Sequence, residues 1–394
     1  MRVLVVHNRY RSSMPSGENR IVDLELEMLR ERGIVVSTHI RSSDELAGLR
    51  AGRMRAVAAQ FRPASTLREL RELLRRDRPD VVHLHNYFPL IPPTLVDLAH
   101  AEGVPIVQTL HNGRHACPKS DFFRDGHLCF DCVGRRFPAP AVIHSCYRDS
   151  AAQSLMLASS QALHRGTFRR IDRFIAISES QKRNLAGAYL PLERISVVPH
   201  GVPDPGVATG PGQALLFVGR LEQEKGVLRL LEAWKRIGGR SAHSLVIAGS
   251  GKLEEQVRSI ARGLPNTRLI GQLSAREVQV EIGRATAVVV PSVVPESFGL
   301  AAVEAFASGR PVVASRIGGL ADLVDEEVGW PVAPDSSSEL ADVLENIDPV
   351  EAARRGAAAR ERYLARYTLD LAAERLLEVL GSVAAQGVQS RRSG

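Results

Sequence analysis

Two pairs of charged residues in the second half of this chain have the types and spacing to do chemistry. Arg220 and Lys225 stand five residues apart in the string GRLEQEKG, Gly219 to Gly226, directly after an apolar run. A planar guanidinium fork and a compact ammonium in one loop can converge on a diphosphate. Glu296 and Glu304 stand eight apart, in PSVVPESFGL (Pro291 to Leu300) and the helical pattern beyond it. A loop carboxylate such as Glu296 can hold sugar hydroxyls, and Glu304, in the helix, can hold the two hydroxyls of a ribose. Free N–H groups at that helix start suit a phosphate. Taken singly, each pair reads as well as ordinary solvated charge.

The first half offers strand-end polar residues. His111 follows Thr109-Leu110 at the end of an apolar run, and His85 and Asn86 end the run before it. Such residues reach the carboxyl edge of a parallel sheet, where ligands bind; the plain alternative is a satisfied core histidine. Gly17, in PSGENR between the first strand and its helix, offers a permissive backbone where a phosphate can approach. GxGxxG is absent, and Gly249-Ser250-Gly251 reads as a tight turn.

All four cysteines fall in one stretch, Cys117, Cys129, Cys132 and Cys146, spaced C-x11-C-x2-C-x13-C. A CxxC pair with two more cysteines nearby has the makings of a tetrahedral four-thiolate zinc site. His115, His127 and His144 could replace one ligand. Free structural thiols are the alternative. Such a metal would staple an irregular insert at 112–148.

Strand-like runs and helical patterns alternate around these residues. In the first half the runs are Val3–Val6, Val35–Thr38, Val81–Leu84, Ile106–Leu110 and Phe174–Ile177. The alternation restarts at Leu215–Val218 and continues through Leu245–Ala248, Leu269–Ile270, Ala287–Val290 and Val312–Ala314. Alternation of this kind implies parallel sheets covered by helices on both faces. The Pro/Gly-rich segment from Pro199 to Gly212 reads as a linker. The expected organisation is therefore α/β with two doubly wound Rossmann-like domains facing across a cleft. The first spans 1–198 with the insert at 112–148, the linker 199–212, and the second 213–366. The segment 367–394 is expected as a helix returning to the first domain, then a polar tail without structure from Ala384.

The string PSxxPESFGLxxxEAxAxGxPVVAS, with GRLxxEKG before it, resembles the retaining GT-B glycosyltransferases of family 4, the glycosyl transferases group 1. The resemblance covers nearly the whole chain and is most specific from Gly219 to Gly319. It implies transfer of a hexose or N-acetylhexosamine from a nucleotide sugar, UDP-linked as a first choice. The acceptor would be a glycan, a lipid-linked molecule or a natural product such as an aminocyclitol. By resemblance, Arg220 and Lys225 hold the donor pyrophosphate, Glu296 the transferred sugar and Glu304 the ribose. Gly17, Gly219, Ser297, Phe298, Gly299 and Leu300 complete the donor site. His111 contacts the donor sugar near the reacting carbon, and His85 and Asn86 are acceptor-side candidates. Two departures stand out: Ser16 where the family often has a first glycine, and His200 where it often has Asn in a hinge. The insert, HN…CP…RDG…CxxC…CY, looks like that of a bacterial subgroup.

No Asp-x-Asp string occurs, so Arg220, Lys225 and helix N–H groups are expected to replace a catalytic divalent metal, and zinc, if bound, is structural. Net charge is +7 and uneven: residues 1–200 hold 29 Lys and Arg against 20 Asp and Glu. That excess suits an anionic substrate or peripheral contact with a membrane as well as it suits solvated faces. No run approaches the ~20 apolar residues of a membrane span, and a cytoplasmic location is expected. The remaining alternatives are a GT-B relative such as a nucleotide-sugar epimerase, a non-catalytic sugar-binding protein, or a nucleic-acid binder built on the cysteine module and the basic first half, to which the arginines from Arg50 to Arg78 lend slight support. The last has no aromatic interleaving in its favour, and no nucleic-acid partner is expected.

Overall fold

The computed structural model describes residues 1–13, 16–46, 60–61, 64–208, 210 and 212–393, with side chains to residue 387. Pro15, the linker residues Thr209 and Pro211, and Arg50, Arg53, Arg55 and Arg62 of the basic stretch lie outside these residues. The chain forms two compact units. The first runs to Arg124, then from Cys129 to Val198 and from Ala372 onward; the second holds Asp125–Leu128 and Pro199–Leu371.

The first unit is built on six parallel strands: β1 (Arg2–Arg9), β2 (Val35–Ser42), β3 (Val81–Leu84), β4 (Ile106–Leu110), β7 (Arg173–Ala176) and β8 (Ile195–Val197). A two-stranded hairpin, β5 (Phe123–Arg124) and β6 (His127–Leu128), lies between β4 and β7 in sequence. The sheet order is β2-β1-β3-β4-β7-β8, so the direction of growth reverses between β1 and β3. Every residue of β3 and β4 is buried, as a sheet covered on both faces requires. The Gly17–Glu31 helix begins where Ser16 Oγ accepts the Asn19 N–H at 3.2 Å. Gly17 is its first residue and does not adopt positive φ, so the permissive conformation expected of it is not used. Ser16, the departure from the glycine pair, acts as the helix cap.

The C-terminal helix, Leu369–Ser393, covers the same face of this sheet as the Gly17–Glu31 helix. Ala373, Leu376, Leu380 and Val383 pack with Val3, Val5, Leu26 and Leu29 in one cluster. The unstructured tail expected from Ala384 is instead a continuation of this helix to Ser393. Small residues carry the contact past the end of the apolar pattern: a Cβ on Gly387 would sit 2.8 Å from the Pro105 ring.

The second unit repeats the plan with β9 (Ala214–Val218), β10 (Ser244–Ala248), β11 (Thr267–Gly271), β12 (Ala285–Val290), β13 (Val312–Ser315) and β14 (Gly329–Val332). Its order is β11-β10-β9-β12-β13-β14, reversing between β9 and β12. The Val227–Ile237 helix buries Val227, Leu230, Leu231, Trp234 and Ile237, one stripe at helical spacing. The segment read as a linker is anchored at its start. Val202 bridges Thr368, and the Tyr363 hydroxyl donates to the Val202 carbonyl at 3.0 Å. The sequence reading passed over β8, β14 and the hairpin. All are short, and β14 carries Pro331 on an edge strand, the position that tolerates proline.

Trp234 and Trp330, the two tryptophans of the chain, both lie in the second unit. Leu380→Ala removes a fully buried contact of the first unit, at a cost of about 2–5 kcal/mol. We expect faster amide exchange across β1 and the Gly17–Glu31 helix and an unchanged tryptophan unfolding midpoint. Equal loss in both units would show that the helix does not serve the first unit specifically.

Candidate active site

In the second unit, the loops that follow β9, β10, β12 and β13 gather at the carboxyl ends of their strands, on both sides of the reversal between β9 and β12. The GRLEQEKG loop follows β9 and the PSVVPESFGL loop follows β12. Glycines let these loops touch. Gly226 has φ +70°, and a Cβ there would lie 1.8 Å from the Pro291 carbonyl oxygen. A Cβ on Gly249 would lie 1.8 Å from the Gly219 carbonyl oxygen, and one on Gly318 2.6 Å from the Glu296 backbone. Hydrogen bonds follow the close approach: Val293 N–H to Glu224 O at 3.0 Å, Leu221 N–H to Ser250 O at 2.8 Å, Gly319 N–H to Glu296 O at 2.6 Å. The Gly249-Ser250-Gly251 turn, read from sequence as a turn alone, therefore supports the Arg220 loop, and Gly318-Gly319 was not singled out at all.

The result of these contacts is an ion pair. Lys225 Nζ lies 2.6 Å from Glu296 Oε1, and Ser292 Oγ donates to the same oxygen at 2.5 Å. The Lys225 and Glu296 side chains keep 26% and 16% of their exposure, so the pair is half-buried and still open to a ligand. Burial pushes the Glu296 carboxyl up, but Lys225, Ser292 and Arg220 together hold it below its ordinary range. Arg220 Nη2 reaches Glu224 Oε1 at 3.1 Å and stays more than a third exposed. Beside them the Leu300–Ala307 helix starts at Gly299, φ +119°, without a side-chain cap. Its first N–H groups are thus of the kind that bind anions. Glu304, in the second turn, is 8% exposed. Phe298 is buried and meets the His200 ring edge-on at 5.6 Å, which gives the hinge histidine a packing role.

In the first unit, the ends of β1, β3 and β4 carry a buried polar network. His85 Nε2 donates to Glu25 Oε1 at 3.2 Å, and its Nδ1 lies 2.9 Å from His111 Nε2. His83 Nδ1 is 2.7 Å from the same Glu25 oxygen, and His83 Nε2 is 2.8 Å from Thr109 Oγ1. Burial lowers the His85 pKa, so its ring is neutral and Nδ1 is an acceptor. His111 must then donate from Nε2, and Glu25 fixes the His111 tautomer through His85. His85 and Asn86 correct the sequence reading. His85 is 1% exposed, and Asn86 donates to the Asn8 carbonyl at 2.9 Å while its own oxygen accepts from Phe88 N–H. Neither is presented as an acceptor contact, because the neighbouring strand ends consume their polar groups; half-buried His111 is the outer member of the chain.

Two groups of this region were missed in the sequence. Glu25 sits mid-helix, where its spacing looks like a surface charge. Glu18, next to Gly17, is bonded to the Tyr10 hydroxyl at 3.3 Å. Burial pushes its carboxyl up to about 7, against the pull of Arg114. Arg114, 7% exposed, lies over the Phe88 ring at 5.1 Å. The four cysteines form no disulfide, are of intermediate exposure and line one cavity.

Residues 16–204 match the model of Glycosyltransferase Family 4, and residues 212–347 match that of Glycosyl transferases group 1. This chain belongs to the GT-B glycosyltransferases. It is 33% identical over 302 residues to glycogen synthase of Mycobacterium tuberculosis, covering 72% of this chain and 64% of that protein, so it spans under two thirds of that relative's length. It is 29% identical over 409 residues to phosphatidyl-myo-inositol mannosyltransferase of Mycobacterium leprae, covering 96% of both. Its fold is similar to that of Anabaena HepE, crystallised with UDP and glucose, at TM-score 0.69 and 16% identity, over 97% of this chain and all of that one. Sucrose-phosphate synthase of Thermosynechococcus elongatus gives TM-score 0.72 at 19% identity, over 98% and 99%. Two Rossmann-like units with parallel sheets are the GT-B fold that these structures share.

The buried histidines of this chain are expected to make its first unit acid-sensitive. His7 is lowered to about 3 by burial and by His85, and His115 to about 3 by burial and Arg114. His39, His85 and His164 are lowered by burial as well. Such a ring protonates between pH 6.5 and its folded pKa only in the unfolded chain, so stability present above pH 6.5 is lost as pH falls toward 3. Glu25, held well below 4.5 by His83 and His85 despite burial, adds a loss of the same sign below that pH. We expect amide exchange in β1, β3 and β4 to quicken from pH 7 to pH 5 while tryptophan fluorescence from the second unit holds. A simultaneous transition in both would contradict this asymmetry.

Proposed function

We propose that this chain is a retaining, metal-independent glycosyltransferase that takes a hexose or N-acetylhexosamine from a UDP-sugar. The observation that carries the reading is the Lys225–Glu296 pair, with Arg220 beside it and the uncapped helix start at Gly299 behind it, at the point where the sheet order reverses. Ligands of doubly wound sheets bind at that point. Arg220, Lys225 and the helix N–H groups take up the charge that grows on the departing diphosphate. Lys225 keeps Glu296 ionised, so Glu296 accepts hydrogen bonds from the hydroxyls of the sugar. Glu304 holds the ribose. The bond from the anomeric carbon to the phosphate oxygen breaks, and a bond to the acceptor oxygen forms on the same face. The acceptor's proton passes to the leaving phosphate, and His111 contacts the sugar near the reacting carbon.

The UDP and glucose bound by Anabaena HepE support a UDP-glucose donor. The acceptor is a glycan, a lipid-linked molecule or an aminocyclitol, and similarity to a phosphatidyl-inositol mannosyltransferase supports the lipid-linked choice. Contact with the cytoplasmic face of a membrane through the basic first half fits such an acceptor.

Arg220→Ala and Lys225→Ala should each lower turnover by ~100-fold or more, as loss of one oxyanion donor does, with the tryptophan unfolding midpoint unchanged. Near-normal turnover in both would remove these residues from the mechanism. Activity should persist when a weak chelator withdraws Mg²⁺ and Mn²⁺, and full dependence on either ion would overturn metal independence. UDP release should require an acceptor and give a product with the donor's anomeric configuration. Conversion of the sugar nucleotide without acceptor would point to an epimerase.

A further inference from the structure

The insert between β4 and the Ala151–Phe168 helix holds no long regular element, yet it is folded. Cys117 lies in the turn after His111, Cys129 directly after β6, Cys132 in the next turn, and Cys146 just beyond the Ala139–Ile143 helix. Four separate turns thus deliver four sulfurs to the wall of one cavity of about 20 Å3. Its other lining residues include Lys119, Arg124, Phe123 and Phe130. The Cys132 sulfur lies close enough to the other three to feel each of them. The turns are tied by main chain: the Ser120 N–H donates to the Cys117 carbonyl and the Cys129 N–H to the Phe122 carbonyl, each at 2.8 Å. Of the eight non-glycine residues with positive φ among the described residues, six fall in this insert: Ser120, Phe122, Asp125, Ser145, Arg148 and Asp149. A backbone with that many costly conformations needs a tie that its sparse apolar core does not supply.

We propose that Cys117, Cys129, Cys132 and Cys146 bind one zinc ion that holds the insert together. The cavity has room for one ion-sized body. Four thiolates select zinc among the common divalent ions. Binding one Zn²⁺ releases the four thiol protons and leaves a centre of net charge −2 beside Lys119 and Arg124, which also pair with Asp121 and Asp131. The sulfurs ring the cavity loosely. Among the described residues the group whose ligand atoms lie within 4.8 Å of one another is Glu25, His83 and His85, not the cysteines. Drawing the sulfurs to about 2.3 Å from zinc therefore tightens the insert as the metal binds. The zinc is structural and stands apart from the proposed transfer reaction. It sets the segment that leaves His111 and carries buried Arg114.

The test uses the full chain, purified reduced without chelator. Elemental analysis should find one zinc per chain. After a thiol-specific mercurial releases that zinc, cobalt(II) should restore the strong visible absorption of a tetrahedral tetrathiolate centre. Cys129→Ser with Cys132→Ser should lose the metal and speed amide exchange across 112–148, with tryptophan fluorescence of the second unit unchanged. The wild-type measurement stands even if that variant fails to fold. Four freely titrating thiols with no metal, two disulfides, or iron in place of zinc would each overturn the proposal.

Discussion

Everything at the proposed donor site depends on how closely backbones approach where parallel strands end. Lys225 and Glu296 are 71 positions apart, and they meet because Gly226 lies against Pro291 with no side chain between them. The same constraint recurs at Gly249 against Gly219 and at Gly318 against Glu296. Each contact is closer than any Cβ allows. The charged pair is thus held by main chain rather than by long side chains searching for one another, which is the kind of pre-set geometry that charge stabilisation needs.

The two units put polar groups to different uses. In the second, the charged groups stay partly open at the ends of β9 and β12, as a site for a charged ligand must. In the first, His7, His83, His85 and Glu25 are sealed in, and only His111 extends outward from them. A buried carboxylate in contact with these imidazoles orders the rings at the cost of acid stability. The price is local to this unit, because the second has no comparable cluster among its described residues.

Similarity to known glycosyltransferases shows the family and the fold, and the site is read from its own geometry. The family models match 16–204 and 212–347, on either side of the segment from 205 to 211. The ion pair, the uncapped helix start and the reversal in strand order would mark an anion site in the second unit without any relative at all.

The sequence by itself determined the strand–helix alternation, both parallel sheets and the two charged strings, because buried strands and amphipathic helices write their periods locally. It also singled out the four cysteines, whose clustering is a local fact. Tertiary structure alone decided the rest. Edge strand β14, with Gly329 and Pro331, forms because β13 offers it a partner and not because its residues favour a strand. The C-terminal helix continues past its apolar pattern, with Gly387 packed closely against Pro105. Glu25 looks like a surface residue until β3 places His83 and His85 against it, and Asn86 looks available until β1 occupies it. Burial and partnership are set by which strand ends lie side by side, and that order is a property of the folded sheet.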